Sequence, residues 1–404
     1  MSKVITDDKQ IDEVLSRGVE NIYPKKTELK KRLMSGEQIT IYAGYDPNSP
    51  TLHIGHGITI RKLAQFQALG HKVIFLFGDF TGQIGDPDKM SVRTQIDHKT
   101  VLKNLKDWKN QIKNLIDIKK VDFRFNSKWL SKLNFEDLIE IAQHFTAQQM
   151  LDRDMFQVRI KEGRPVYLHE FFYPLMQAYD SVAMDVDLEI GGNDQMFNML
   201  AGRTLMRAMK NKEKIVLTTK LLEDPTGKKM GKSEGNMVTL VDAPGDMYGK
   251  IMSWPDTMIV PAMEILTDIP LKEIKKIESK LKDNSINPRD FKMQLASEVT
   301  RVYLGDKASE EGAEHFKRIF QQGQKPASIE EVKIGDEGGK IGVLSLFVAA
   351  GIAKSNSEVR RLIKEGAIKI DDEKVTDDNL EISIPKEGML LQRGKKQFVK
   401  AFRK

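Results

Sequence analysis

The stretch from Thr40 to Phe80 constrains the fold more than any other. "TIYAGY" (40–45) reads as a strand. "HGITIRKLAQFQALG" (56–70) then places Ile60, Leu63, Phe66 and Leu69 at helical spacing, with Gly70 as C-cap. "KVIFLFGDF" (72–80) follows as a continuous apolar run, the pattern of a strand covered on both faces. Strand, helix and strand joined by short links imply a right-handed βαβ crossover. The expected class is α/β, with a doubly wound, Rossmann-like parallel sheet.

The remaining segments extend this plan. "DVDLEIGG" and "KIVLTTKLL" read as further strands, "YLHEFFYPLMQAYDSV" and "NDQMFNMLAGRTLMRAM" as helices. Residues from about 95 to 165 are charged, mostly helical in pattern, and read as an insertion between two halves of the sheet. At 404 residues the chain should hold two or three domains. The expected division is a sheet domain over 1–243, a lysine-rich α-helical domain over 244–330, a glycine-containing linker over 331–340 and a small α+β domain over 341–404.

Composition narrows the classes. There is no cysteine, which excludes disulfides, thiolate nucleophiles and cysteine zinc sites and suits a reducing cytoplasm. No apolar run approaches the roughly 20 residues of a membrane span. The opening "MSKVITDDKQIDEVL" has no apolar signal core and is too acidic for a transit peptide, so a cytoplasmic location without a membrane partner is expected. The net charge is +6; residues 341–404 carry 13 basic and 9 acidic side chains. Such a tail suits a polyanion such as nucleic acid, or it simply solubilises the chain.

Two motifs carry chemistry. His53-Ile54-Gly55-His56 lies between the first strand and its helix. A metal is one reading, but neither an HExxH arrangement nor a cysteine pair supplies further ligands. An exposed turn is another. Phosphate fits better, because free N–H groups and the helix dipole at a helix start attract anions, Gly55 allows close approach, and imidazoles can donate to phosphoryl oxygens. Neither GxxxxGK[ST] nor GxGxxG occurs in this unit. The second motif, "GKKMGKSEGN", sets Lys228, Lys229 and Lys232 in a glycine-flanked polar loop, suited to clamping a polyphosphate.

HIGH followed by a KMSKS-type loop (Lys229-Met230-Gly231-Lys232-Ser233) resembles the class I aminoacyl-tRNA synthetases. "IYAGYDPNSPTLHIGHG", "TGQIGDP", "FFYPLMQAYD", "IGGNDQ" and "KKMGKS" resemble, in order, the blocks of the bacterial-type tyrosyl-tRNA synthetases. "LSLFVAAGIAKSNSEVRRLIKEGAIKIDDEKV" is similar to the S-four-like RNA-binding module that closes those enzymes. Three positions depart from the family pattern: Asn48 stands where threonine is common, Gly231 replaces the first serine of KMSKS, and the spacing before Arg93 is short.

The resemblance implies tyrosine–tRNA ligation in two steps: tyrosine attacks Mg-ATP to give tyrosyl-adenylate and pyrophosphate, then passes to the 3′ end of tRNA(Tyr). It implies catalytic roles for His53, His56, Lys229 and Lys232, and ATP contacts from Asn48, Gly55, Arg93 and Ser233 besides the two lysines. Tyr42 and Asp180 would bind the phenol; Asp86, Tyr173 and Gln177 the ammonium; Gln195 the carboxylate side; Gly44, Asp46, Gly192 and Asp194 the adenylate. Tyr173, Gln177 and Asp180 also share one helical stripe by spacing. Arg360, Arg361, Lys364 and Lys369 would meet tRNA. ATP with Mg²⁺ is implied as substrate, with no dedicated metal site and no tightly bound cofactor, and the family is homodimeric. The alternatives are another HIGH-bearing adenylate former, such as a tryptophanyl synthetase or a small-molecule nucleotidyltransferase, and an RNA-binding protein retaining the scaffold.

Overall fold

The computed structural model describes residues 4–87, 96–223, 237–283, 287–321, 329–335, 340–394 and 397–404. The chain divides into two compact units, Met1–Ser309 and Glu310–Lys404, and the boundary falls inside the helix Asp306–Phe316.

The first unit is built on a six-stranded sheet. Its strands are β1 (Val19–Tyr23), β2 (Thr40–Tyr45), β3 (Lys72–Phe77), β4 (Val121–Phe125), β5 (Leu188–Gly192) and β6 (Ile215–Thr219), in the order β1-β6-β5-β2-β3-β4. The pairs β2/β3, β2/β5, β3/β4 and β5/β6 are parallel; β1 joins β6 antiparallel. The expected α/β sheet is therefore present, with two strands the pattern hid. β4, "VDFRF", lies within the insertion otherwise read as helical. It is an edge strand whose residues are all only partly buried, so its charges break the apolar run. β1, "VENIY", is the opposite, antiparallel edge.

The helix Ile54–Ala68 connects β2 to β3 and buries Ile54, Ile58, Ile60, Leu63 and Phe66. It ends where Gly70 takes φ 90°, a conformation that glycine adopts without strain. Arg61 and Lys62 on this helix are also buried. Arg61 donates to the Thr267 carbonyl at 2.9 Å, and Lys62 Nζ donates to the carbonyls of Val14 and Arg17 at 2.7 and 2.8 Å. The helices Leu271–Lys282 and Pro288–Leu304 coincide with the lysine-rich patterns read from sequence. Pro288–Leu304 delivers the buried Tyr303 ring to Gly57, where a Cβ would lie 2.3 Å from Tyr303 Cε1.

The second unit contains β7 (Glu330–Ile334), β8 (Ile341–Gly342), β9 (Ile368–Ile370), β10 (Glu373–Lys374), β11 (Glu381–Ile382), β12 (Met389–Arg393) and β13 (Gln397–Arg403). They form a sheet ordered β10-β9-β12-β13-β7 and a separate β8/β11 pair. The helices Val343–Ala349 and Asn356–Lys364 share a core with it through Val343, Leu346, Phe347, Val359, Leu362, Leu391 and Val399. This is the small α+β architecture expected for the chain's end.

The Gly57–Tyr303 contact gives a direct test of this packing. Gly57→Ala is expected to destabilise the fold by about 1–3 kcal/mol, because a fully packed ring cannot retreat. Urea unfolding checks it: the midpoint should fall with little change in slope.

Candidate active site

In an open parallel sheet, ligands bind beyond the carboxyl ends of the strands, near the point where strand order reverses. Here that point lies between β2 and β5. The polar residues gather at those ends: Asp46 after β2, Asp79 and Thr81 after β3, Asn126 after β4, and Asn193, Asp194 and Gln195 after β5. Asp46 is held by Tyr173, whose hydroxyl donates to Oδ2 at 2.7 Å, and by Thr81, whose hydroxyl donates to Oδ1 at 2.7 Å. Gly78 makes that possible, since a Cβ there would lie 2.0 Å from Asp46 Oδ1. Gly44 is exposed at the end of β2. Asn48 is exposed too, with its N–H donated to the Asp46 carbonyl at 2.8 Å.

The two HIGH histidines close the helix start. His53 is its N-cap, and Nδ1 of His53 accepts the Gly55 N–H at 3.1 Å. Nδ1 of His56 accepts the His53 N–H at 3.2 Å, completing a reciprocal capping box with the ring centroids 3.8 Å apart. The Ile54 N–H donates to Val238 and the His56 N–H to the His53 carbonyl. The first-turn N–H groups expected to receive an anion are thus occupied within the protein. With each Nδ1 accepting, a neutral ring carries its proton on Nε2. Gly55 has a second purpose, because a Cβ there would lie 3.0 Å from the His53 ring.

The helix His169–Met184 carries the stripe. Pro174 lies inside it, near the start. Asp180 is buried, and both of its carboxylate oxygens accept: Trp129 Nε1 donates to Oδ1 at 2.7 Å and Asn126 Nδ2 to Oδ2 at 3.2 Å. Burial pushes its carboxyl well above the ordinary range, with the Glu189 and Asp46 charges adding, while the Trp129 and Asn126 donors favour the anion. Two donors face its oxygens, so toward both of them Asp180 acts as an acceptor. Tyr42 is fully buried, its hydroxyl 2.8 Å from Ser181 Oγ. Burial, then the charges of Glu189 and Asp180, raise its hydroxyl far above ordinary tyrosine, so it stays a neutral donor.

A second group of acceptors lies along the stripe and beyond β5. The Gln177 amide nitrogen donates to Glu189 at 3.0 Å, which leaves its carbonyl oxygen as the accepting end. Asp86 accepts from Gln195 at 2.8 Å and Asn198 at 3.3 Å, and Arg153 lies 3.5 Å away. Asn198 also donates to Gln195 at 3.0 Å. Gly192 leaves room for the exposed Asp194, because a Cβ would lie 2.6 Å from its carboxylate.

Lys229, Lys232, Ser233 and Arg93 lie outside the described residues. The segment after the lysine loop is described, and it is tied to HIGH: Ile54 donates to Val238, Leu240 donates to Leu52, and His53 bridges Thr239. In the second unit Arg360, Arg361 and Lys364 are exposed on one helix, but Lys369 stands on β9. Arg360 pairs with Asp378 at 3.2 Å and Arg361 with Glu365 at 3.7 Å. Among the described residues no group of three or more His, Asp or Glu is clustered as a metal site. Among the same residues no helix is long and apolar enough to cross a membrane.

Sequence reasoning missed Asn126, Trp129, Thr81, Asn198, Arg153, Ser181 and Glu189. The first two follow β4, and recognising that strand would have exposed them as strand-end residues. Thr81 opens the quoted block "TGQIGDP" and Ser181 adjoins Asp180, so both lay within reach of the motifs; Asn198, Arg153 and Glu189 are brought to the site by tertiary contacts.

Comparison with known proteins agrees with this geometry. Residues 34–321 match the family described as "tRNA synthetases class I (W and Y)", and residues 321–401 match "Tyrosine--tRNA ligase SYY-like C-terminal domain". A tyrosine–tRNA ligase of Moorella thermoacetica is 42% identical over 392 residues, covering 96% of this chain and 94% of that protein. One from Thermotoga maritima is 40% identical, covering 98% of this chain and 97% of that protein. The fold is shared with a tyrosyl-tRNA synthetase of Archaeoglobus fulgidus solved with L-tyrosine, at a TM-score of 0.59 and 20% identity over 76% of this chain and 99% of that one. With both family matches together and relatives aligned almost end to end, the chain belongs to the tyrosyl-tRNA synthetase family of class I.

Proposed function

We propose that the chain is a tyrosine–tRNA ligase that activates L-tyrosine with Mg-ATP and then esterifies the 3′ end of tRNA(Tyr). The observation that carries the substrate is the buried Asp180 carboxylate beside Tyr42. A phenol can donate to Asp180 and accept from Tyr42, which an indole or a phenyl ring cannot do in the same place. The ammonium is received by Asp86, Tyr173 and Gln177, each with an oxygen acceptor, and the carboxylate side lies toward Gln195. The adenylate lies along Gly44, Asp46, Gly192 and Asp194. His53 and His56 donate from Nε2 to the phosphates, with Asn48, Gly55, Arg93, Lys229, Lys232 and Ser233 completing the ATP site. No protein nucleophile is needed: the tyrosine carboxylate attacks the α-phosphate, and the site supplies orientation and charge stabilisation. The arginine and lysine donors stabilise the pyrophosphate as it leaves.

Full-length tyrosine relatives and the Asp180 geometry favour this reading over a tryptophanyl enzyme, a small-molecule nucleotidyltransferase or a non-catalytic RNA binder. The sheet-based part over 1–243 performs activation and the helical part after it serves the anticodon side; the second unit binds RNA, and its sheet includes β7 (Glu330–Ile334), so the segment expected as a linker over 331–340 begins as a strand of that unit. A cytoplasmic setting is supported by the lack of cysteine.

A second copy of this chain is proposed as partner. Phe135 and Ile139 on the helix Phe135–Ala142 are 83% and 67% exposed, and Leu168, at the cap of the helix His169–Met184, is 78% exposed. These two helices pack on one core cluster, and exposed apolar side chains of this size are suited to burial against a partner.

Three outcomes test these assignments. Asp180→Ala should lower kcat/KM for tyrosine in ATP–pyrophosphate exchange by roughly 100-fold, about the worth of a buried charged hydrogen bond, and change phenylalanine far less. Equal losses would remove the phenol-binding role. Sedimentation of Phe135→Glu/Ile139→Glu should give a monomer where the unaltered chain gives a dimer. Replacing Arg360, Arg361 and Lys364 together by alanine should raise KM for tRNA and flatten its salt dependence by about one charge for each phosphate left unpaired, while tyrosine-dependent exchange stays unchanged.

A further inference from the structure

The loop that leads into the HIGH turn is held by side chains with no assigned part in tyrosine activation. Pro47 and Pro50 in this loop, 47–52, have no N–H, so it cannot build a regular hydrogen-bond ladder of its own. Its carbonyls are bound instead by three residues of the insertion, spaced four and then three apart. Asn104 Nδ2, on the helix His98–Leu105, donates to the Pro47 carbonyl at 2.7 Å. Trp108 Nε1 and Gln111 Nε2, on the helix Trp108–Ile112, donate to the carbonyls of Ser49 at 3.2 Å and Pro50 at 2.9 Å. Gln111 Oε1 also accepts the Leu52 N–H at 2.8 Å. Gln111 thus engages the loop backbone with both ends of its amide, as a neighbouring strand would.

The bond to Leu52 bears directly on the two histidines. Leu52 is fully buried and Gln111 is only 7% exposed, so water cannot easily replace the amide at the Leu52 N–H. The Leu52 carbonyl accepts the Leu240 N–H at 2.9 Å. Leu52 is therefore fixed on both sides, by the insertion and by the segment that follows the lysine motif. His53 comes next, and it caps the helix Ile54–Ala68 through the reciprocal bonds with Gly55 and His56. A shift of Leu52 passes to both imidazoles. Asn48 is exposed on the same loop, between the anchored carbonyls of Pro47 and Ser49.

We propose that Gln111 and Asn104 are positioning residues for ATP: they shape the loop 47–52 so that Asn48, His53 and His56 stand where the nucleotide's phosphates are received. The inference rests on the reading of HIGH as the phosphate side of the ATP site. Both residues act through the loop backbone. A reaction without a protein nucleophile depends heavily on orientation, and a misplacement of about 1 Å costs up to roughly 100-fold in rate. The tyrosine pocket is not tied to this wall: Tyr42, Asp180 and Gln177 are bonded to Ser181, Trp129, Asn126 and Glu189. Loss of the wall therefore acts on ATP and spares tyrosine.

ATP–pyrophosphate exchange, with ATP and tyrosine varied in turn, tests this on Gln111→Met, Asn104→Asp, Gln67→Met and His56→Ala. Gln111→Met keeps the side-chain length and removes both bonds. It is expected to lower kcat/KM for ATP about tenfold, with the KM for tyrosine within about twofold. Asn104 is half-buried, so Asn104→Asp should melt like the unaltered protein. It replaces the donor by an acceptor and should lower kcat/KM for ATP about threefold, again sparing tyrosine. Gln67 makes the same two-ended bond to the backbone of Asp117, at 3.1 Å each way, near the far end of the HIGH helix. Gln67→Met therefore controls for the loss of such a pair as structure alone, and should leave the ATP kinetics unchanged. Unchanged ATP kinetics in folded Gln111→Met would overturn the proposal, or in Asn104→Asp should Gln111→Met fail to fold. A rise in the KM for tyrosine of the same size, or an equal ATP loss in Gln67→Met, would also overturn it. His56→Ala separates the two levels. If it loses exchange while Gln111→Met keeps it, only the positioning role fails. If His56→Ala keeps full exchange, the phosphate-side reading fails and the positioning role with it.

Discussion

The structure depends on a sheet covered on both faces. β2, β3, β5 and β6 are nearly all buried, so no polar side chain can face outward from their middles without a buried partner. Water-accessible polar chemistry is therefore confined to the strand ends. The parallel arrangement of β2 to β6 brings those carboxyl ends to one edge, where Asn126, Thr81 and Asp46 are hydrogen-bonded in a row and Gln195 holds Asp86. The glycines at 78 and 192 serve the same constraint by leaving room for carboxylates beside the backbone.

The exceptions to this rule are informative. Tyr42, Glu189, Lys214, Ser181 and Asp180 are polar and buried, and each has a bonded partner. In a low-dielectric setting an unmatched member is costly, so the cluster holds a specified pattern of donors and acceptors. A pattern of that kind can reject a ligand by leaving one member without a partner. The HIGH turn follows related logic: His53 and His56 satisfy the helix start with Nδ1, which leaves Nε2 as the protonated nitrogen. Capping of the helix start thus decides which nitrogen of each ring carries the proton.

Legibility in the sequence follows periodicity. β2, the helix after it and β3 are visible because their apolar spacing matches one strand–helix–strand unit, and the Tyr173/Gln177/Asp180 stripe because helical spacing puts those residues together. β4 is hidden because an edge strand half exposed to water keeps charges, and Asn126 and Trp129 are hidden with it. Lys214 looks like any lysine preceding a strand, and Gly202 like a tolerated glycine in a helix, yet a Cβ at Gly202 would lie 2.4 Å from Lys214 Nζ. Their meaning comes from each other, at a distance no spacing rule spans.

The sequence by itself determined the α/β class, the family and some of the polar residues at the strand ends (Asp46, Asp194 and Gln195), because apolar periodicity and motif order are local properties of a chain. Only the tertiary structure decided which hydrogen-bond ends those residues present. Gln177 offers its carbonyl because Glu189 holds its amide, the histidines protonate Nε2 because backbone N–H groups occupy Nδ1, and Asp180 accepts because Trp129 and Asn126 donate to it. The physical reason is that a side chain's donor and acceptor roles are set by its partners, and those partners come from strands and helices far apart in sequence.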